Sequence, residues 1–128
     1  MKIEIDDDCG NAPKRRQIAD LLIFLANGAH KEVLQFLTED VVWELIGFGP
    51  SYGTDQLGVV LDRLSDPSAT TFTVANVLSH GAGCAANGTI RRGDGTVMAF
   101  AHFFRFNGHG KNAKIRQVTS FMSHATVT

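Results

Sequence analysis

The second half of the chain most constrains the fold, because it contains four long extended segments rich in β-branched and aromatic residues. The segments cover residues 71–80, 84–92, 96–106 and 113–122. They are separated by Gly81-Ala82-Gly83, Gly93-Asp94-Gly95 and Asn107-Gly108-His109-Gly110. Asp-Gly and Asn-Gly favour tight hairpin turns, since these turns need positive φ. The pattern predicts an antiparallel meander of four strands.

The first half of the chain has helical periodicity instead. Its clearest apolar residues are spaced at i, i+3, i+4 and i+7, which places them on one helical face. They are Ile18, Leu21, Leu22 and Leu25. Asn11 suits the N-cap of this helix, Pro13 suits its first turn, and Asn27-Gly28 suits its end.

Two shorter helices are predicted on either side of a strand. The second helix covers about residues 31–37, with Val33, Leu34 and Leu37 facing inward. Residues 41–46 follow as a strand, and the glycine- and proline-rich residues 47–53 as a loop. The third helix is capped by Thr54 and ends at Ser65-Asp66-Pro67, since a residue before proline avoids helical geometry. Its apolar face carries Leu57, Val60, Leu61 and Leu64.

This element order predicts an α+β fold in a single domain spanning residues 1–128. The first ten or so residues are expected to be loose or to form a short edge strand. Long strands coil, so three helices lying across the concave face of a curved, cone-shaped sheet would enclose a buried pocket.

Composition excludes several classes of function. The net charge is −1 and no basic patch stands out, so neither nucleic acid nor an anionic membrane is an expected partner. The two cysteines, Cys9 and Cys84, do not form a disulfide framework, and we expect a reduced, cytoplasmic protein without a transmembrane segment. No dinucleotide fingerprint, metal-ligand spacing or Ser-His-Asp signature is present, so no cofactor or metal is expected.

Three stretches of the chain resemble the nuclear transport factor 2-like superfamily, also called the SnoaL-like or ketosteroid-isomerase-like fold. Residues 36–43 resemble its junction between the second helix and the first long strand. Residues 49–53 with 57–64 resemble its loop and third helix, and residues 102–111 with Ile115-Arg116 resemble its closing hairpin. The resemblance covers about residues 16–121. It implies a cystatin-like cone that hosts isomerases, dehydratases, cyclases, epoxide hydrolases and non-catalytic binders.

In the steroid isomerases of this fold, a carboxylate near the end of the first long strand is the general base. The resemblance places this role on Glu44 when it is anchored on Gly47, and on Leu45 when it is anchored on Leu37. Strand alternation leaves two arrangements open. A pocket-facing Glu44 would be desolvated and could act as a base. Alternatively Trp43 faces the interior, and Glu44 lies on the outer face in solvent or at a dimer interface.

The enolate-stabilising aspartate of those isomerases corresponds to His102. Alternation places His102 beside Phe100 and Phe104, facing the helices, with Phe103 and Arg105 on the other face. A neutral histidine there could donate a hydrogen bond to a substrate oxygen or transfer a proton. The alternative is a core histidine satisfied by a neighbouring polar group.

Two activities of the superfamily are disfavoured by the residues at matching positions. The isomerase tyrosine on the first helix corresponds to Leu21, so standard steroid isomerisation is not expected. The epoxide hydrolases need an Asp-Arg-Asp group, whereas here Arg91, Arg92 and Asp94 lie at a hairpin tip.

Two functions therefore remain open. The first is an enzyme, of isomerase, cyclase or dehydratase type, that transfers protons on a small apolar carbonyl compound through Glu44 and His102. The second is a non-catalytic module that binds a small apolar molecule or a partner chain. The predicted pocket lining, with Tyr52 at its mouth and Asn87 and Gln117 orienting the ligand, is completed by Phe24, Trp43, Phe100 and Phe104.

Relatives commonly dimerise through the outer face of the sheet. An apolar outer face carrying Phe103 and Val118 would agree with this, so a homodimer is expected.

Overall fold

A computed structural model of the chain describes residues 1–6 and 12–125. Cys9 and the predicted cap Asn11 lie outside these residues. The helices are α1 (Pro13–Ala26), α2 (His30–Leu34) and α3 (Gly58–Leu64), and a short 3-10 turn covers Thr54–Gln56. The strands are β1 (Lys2–Ile5), β2 (Leu37–Leu45), β3 (Gly49–Tyr52), β4 (Ala69–His80), β5 (Gly83–Arg92), β6 (Val97–Phe106) and β7 (Ile115–Ala125).

The seven strands form one mixed sheet in the order β1-β4-β5-β6-β7-β2-β3. The meander β4 to β7 is antiparallel throughout, as its turn sequences predict. Two parallel pairings extend it, β1 beside β4 and β2 beside β7. The α+β class, the helices against one face of a curved sheet and the edge strand near the N-terminus are confirmed. The sheet does not close on itself, because β1 and β3 form its two edges.

Helix α1 buries the predicted apolar face against the inner face of the sheet. Ile18, Leu21, Leu22 and Leu25 are all inaccessible to solvent or nearly so. Proline occupies the first turn, where its missing N–H costs nothing. The helix ends at Asn27, whose N–H bonds the Ile23 carbonyl, and Gly28 follows at φ 71°.

The structure corrects two boundaries in the first half. Helix α2 ends at Leu34, and Leu37 begins β2 instead of completing the helix. The reason is long-range pairing, because the Ile115 N–H bonds the Phe36 carbonyl at 2.9 Å and Leu37 pairs with Ile115 of β7. Pairing with another strand overrides the helical preference of these few residues.

The loop predicted over residues 47–53 contains a strand. Residues Gly49–Tyr52 form β3, which folds back antiparallel onto β2, with Val42 opposite Tyr52. Gly47 and Gly49 both adopt φ 94°, so glycine permits the reversal that makes this hairpin. The predicted cap Thr54 instead opens the 3-10 turn, and it makes no side-chain capping bond there.

A bulge bends the sheet beside the core. The register of β4 against β5 shifts between Val74 and Asn76, opposite Gly88. A Cβ at Gly88 would lie 1.8 Å from the Thr73 carbonyl oxygen and 2.7 Å from the Phe100 ring. Glycine is therefore required where the bent strand approaches its neighbour most closely.

Candidate functional site

The inner face of β2 is apolar, and Glu44 is not part of it. Val41, Trp43 and Leu45 are buried in the core, and the intervening Glu44 points to the other face of the sheet. There Glu44 lies beside Thr119 of β7. Of the two alternatives for β2, the structure has the second, in which Trp43 faces the interior. The expectation of a desolvated, pocket-facing Glu44 is corrected on this ground.

His102 does face inward, and it bonds to a serine that the sequence did not single out. Ser120 Oγ lies 2.7 Å from His102 Nδ1 and 2.8 Å from Trp43 Nε1. Strand pairing positions all three side chains, since Ser120 stands opposite His102 on β6 and beside Leu45 on β2. His102 and Ser120 are the buried polar side chains of the described chain. We call Trp43, Ser120 and His102 the buried triplet.

Donor and acceptor chemistry determines which atom carries the proton in each hydrogen bond of the buried triplet. Indole N–H is a donor only, so Ser120 Oγ accepts from Trp43. Burial lowers the pKa of His102 to about 4, so its imidazole is neutral at pH 7. A neutral imidazole with its proton on Nε2 lets the Ser120 hydroxyl donate to Nδ1. In this tautomer Ser120 accepts from the indole and donates to the imidazole, so Nδ1 of the buried histidine is satisfied.

Aromatic rings enclose His102 on its own strand. The Phe100 and Phe104 rings lie 5.2 and 5.8 Å from its imidazole, and Phe100 stacks on Phe72 at 5.1 Å. The predicted alternation of β6 is confirmed, with Phe100, His102 and Phe104 inward and Phe103 and Arg105 outward. Five of the hollows on the described part of the chain have neither His102 nor Trp43 in their walls.

The residues predicted to line one pocket are distributed over four places in the fold. Trp43, Phe100 and Phe104 belong to the packed core. Asn87 and Gln117 point to the outer face of the sheet, where the Asn87 side chain accepts a hydrogen bond from Asn76 at 2.9 Å. The remaining two lie elsewhere, Phe24 half-buried on the flank of α1 and Tyr52 exposed on β3.

Ser120 was missed because an isolated serine carries no strong signal in a strand. The available clue was alternation, since Val118 and Ser120 share one face of β7. That face is the inner one, because both residues are completely buried. Val118 is therefore not on the outer face, contrary to the sequence-based expectation, whereas Phe103 is.

The helices bring together an Asp-His-Ser group that has no sequence signature. His30 Nε2 lies 3.2 Å from Ser65 Oγ, and His30 Nδ1 lies 3.6 Å from Asp62 Oδ1. This is not a catalytic triad, because the Ser65 hydroxyl faces the carbonyl oxygens of Leu61 and Leu25 at 2.8 and 3.0 Å. With its proton directed to the backbone, Ser65 ties α3 to the end of α1 and is not activated by His30.

The outer face of the sheet exposes a row of apolar side chains across the meander. Pairing aligns Leu78 of β4, Ala85 of β5 and Phe103 of β6, and Phe121 of β7 packs edge-on against Phe103 at 5.9 Å. Leu78, Phe103 and Phe121 are 62%, 54% and 41% exposed. We call this row the outer apolar patch. Glu44 and Arg105 lie on the same face, next to Thr119 and Gln117 respectively.

Neither a metal cluster nor a membrane helix is found in residues 1–6 and 12–125. No group of three or more His, Cys, Asp or Glu in these residues could hold a metal ion. No helix among them has the length and apolar character needed to cross a bilayer.

The family model of the SnoaL-like domain matches residues 18–115. The chain belongs to the SnoaL-like family. The matched range runs from the buried face of α1 to the start of β7, so it includes Glu44 and His102 but not Ser120. No curated protein matches this SnoaL-like chain significantly.

Solved structures superpose on this domain, and several of them are nuclear transport factor 2-like proteins. A protein of unknown function from Burkholderia xenovorans LB400 has a TM-score of 0.72 at 16% identity, covering 91% of this chain and 87% of its own. A designed protein with a curved β-sheet also reaches 0.72 at 16% identity, covering 87% and 85%. TerC, co-crystallised with polyporic acid, has a TM-score of 0.64 at 15% identity, covering 88% and 92%. At these identities the likeness shows the fold alone.

Proposed function

We propose that this SnoaL-like domain is a non-catalytic module that self-associates through its outer apolar patch. The observation that carries the proposal is the separation of Glu44 and His102 on opposite faces of the sheet. Proton-transfer catalysis by these two groups needs both within reach of one substrate. The core packing around the buried triplet supports the same conclusion, because Trp43, Phe100 and Phe104, which were expected to line a ligand pocket, belong to the packed core.

The outer apolar patch supports the self-association half of the proposal. Its large side chains stand on strands that are paired on both sides within the sheet, and aromatic residues contribute much of the binding energy at protein interfaces. Glu44 and Arg105 on the same face provide opposite charges for the rim of a homodimer, in which each copy presents the same surface.

Catalysis is tested with the wild-type protein and the Glu44→Ala and His102→Ala variants against a panel of ketones and lactones. We expect no turnover above the protein-free rate for any of the three proteins. Turnover by the wild type that both variants lose would overturn the non-catalytic assignment.

Self-association is tested by sedimentation equilibrium and light scattering. We expect a homodimer for the wild type and a monomer for Phe103→Glu, because the variant places a charge in the centre of the patch. Val59→Glu is the matched control, since Val59 is 67% exposed on α3, away from the sheet face. A monomeric wild type, or equal dissociation of both variants, would contradict the proposal.

A proton-transfer enzyme is the second candidate, and one observation favours it. His102 is neutral near pH 7 and hydrogen-bonded at Nδ1, and such a group can exchange protons with a substrate. A substrate would have to displace part of the packed core to reach it. Activity lost in His102→Ala and retained in Glu44→Ala would favour this candidate.

A further inference from the structure

A hollow on the flank of α1 lies away from both the buried triplet and the outer apolar patch. Its volume is about 720 Å³, which is larger than that of the hollow on the outer face, at about 410 Å³. Its walls come from α1, from the junction of α2 with β2, and from the turn between β6 and β7. Pockets of this volume commonly hold small molecules. We call it the flank hollow.

Aromatic and aliphatic side chains form the floor of the flank hollow. The Phe24 and Phe36 rings lie 6.2 Å apart at 41°, both half-buried, with Ile23 beside them on α1. Phe106, at the end of β6, is buried and completes the floor. Aromatic rings pack on one another in offset-stacked or edge-to-face arrangements, so a flat ring in the hollow could pack against Phe24 and Phe36.

The rim of the flank hollow carries an excess of positive charge. Lys111 and Lys114 line it and form no ion pair among the residues that the structure describes. The one acidic residue in the lining, Asp20, is 3.6 Å from the Arg16 guanidinium, which offsets its charge. An anionic group at the rim would therefore meet two lysines.

Hydrogen bonds hold the turn that carries these lysines against α1. The Gln17 side chain donates to the Lys111 carbonyl at 3.2 Å, and the Lys14 ammonium donates to the His109 carbonyl at 2.8 Å. The same ammonium stands 5.4 Å from the centre of the Phe106 ring. These contacts use the backbone of Lys111 and leave its ammonium group available, so the wall is formed before any ligand arrives.

We propose that the flank hollow binds a small planar aromatic carboxylate. The ring contacts Phe24 and Phe36, and the carboxylate lies at the rim near Lys111 and Lys114. Apolar area on the floor provides affinity, and the two ammonium groups select an anion over a neutral compound.

The experiment is a titration with 2-naphthoate, followed by amide chemical shifts of the isotope-labelled chain. We expect saturable shifts confined to residues 17–24, 35–36 and 106–114. The neutral analogue 2-naphthalenemethanol is expected to bind several-fold more weakly. Saturation absent at millimolar 2-naphthoate, or shifts centred on Phe103 and Phe121, would overturn the proposal.

Matched variants distinguish the contribution of the rim lysines to binding from that of the aromatic floor. The double variant Lys111→Gln with Lys114→Gln is expected to weaken 2-naphthoate binding roughly 3- to 10-fold, because two exposed ion pairs are lost. Lys31→Gln removes an exposed lysine of α2 outside the hollow and should leave the affinity unchanged. Equal affinities for these two proteins would show that the lysines do not select the ligand. Phe103→Glu should retain binding, which keeps this test independent of self-association.

Discussion

At the scale of single residues, the buried triplet decides how the interior of this SnoaL-like domain is used. Ser120 links the indole N–H of Trp43 to Nδ1 of His102, so polar groups of all three side chains are hydrogen-bonded within the core. His102 thus takes the form of a core histidine satisfied by a polar neighbour, one of the two possibilities open from the sequence. A catalytic role for it stays a prediction.

Stability should depend on pH through His102. The pKa of this group is about 4 in the fold, against an ordinary value of 6.5, so the unfolded chain takes up the proton first as the pH falls. The free energy of unfolding should therefore fall by roughly 2–3 kcal/mol between pH 7.5 and 4.5 from this group alone. Urea denaturation of the wild type and His102→Asn measures the difference.

The other titratable groups are common to both proteins and contribute equally to the pH dependence of their stability. The difference between the two pH profiles therefore isolates His102. Parallel profiles would contradict the assignment. The imidazole proton resonances of His102 provide an independent check, and they should not titrate between pH 7.5 and 5 in the folded protein.

Ser120→Ala should be costly for its size. The variant leaves the Trp43 N–H and one His102 nitrogen buried without this partner, so we expect a loss of about 2–4 kcal/mol in the free energy of unfolding. Ser123→Ala is the matched control on the same strand, because the Ser123 hydroxyl is exposed. Similar midpoints for the two variants in chemical denaturation would show that the network contributes little.

At the scale of elements, the bulge in β4 and the glycine opposite it shape the sheet. The strand pair bends where Val74 and Asn76 fall out of register, and Gly88 lets the two backbones approach. Phe72 and Phe100, which are buried beside this bend, stack on each other.

Gly88→Ala should destabilise the fold by more than about 3 kcal/mol or prevent folding, because the added methyl meets a backbone oxygen that cannot move away alone. Gly58→Ala is the control, since a Cβ there meets nothing within 4 Å and the residue is helical. The control should be neutral or stabilising by up to about 1 kcal/mol. Denaturation midpoints that agree between the two variants would remove the steric explanation.

At the scale of the whole molecule, the two faces of the sheet have different uses. The inner face is covered by the helices and the core, and the outer face leaves the apolar patch uncovered. Self-association would place this patch out of water, which links the stability of each copy to its concentration.

The thermal midpoint of the wild type should therefore rise with protein concentration, by a few degrees per tenfold increase, while that of Phe103→Glu stays constant. Differential scanning calorimetry across two decades of concentration measures both. A constant midpoint for the wild type would contradict self-association through this face.

Much of the fold follows from local patterns. The apolar face of α1, the meander from β4 to β7 and the alternation of β6 are confirmed, because each depends on periodicity and turn chemistry within a short segment. The predicted end of α2 and the predicted loop at β3 were wrong, because pairing with β7 and β2 decides them. Local propensity is too weak to oppose such pairing.

The candidate site was likewise predictable from the sequence only in part. The sequence determined that His102 faces inward, since strand alternation needs only neighbours along the chain. Only the tertiary structure decided which face of β2 is buried, and hence that Trp43, not Glu44, lies inside. The physical reason is that residues 41–46 alternate two sets of apolar residues, Val42 and Ile46 around Glu44 and Val41 and Leu45 around Trp43. The parallel pairing with β7, which joins Trp43 to Ser120 across 77 positions of the chain, selects one set for the core.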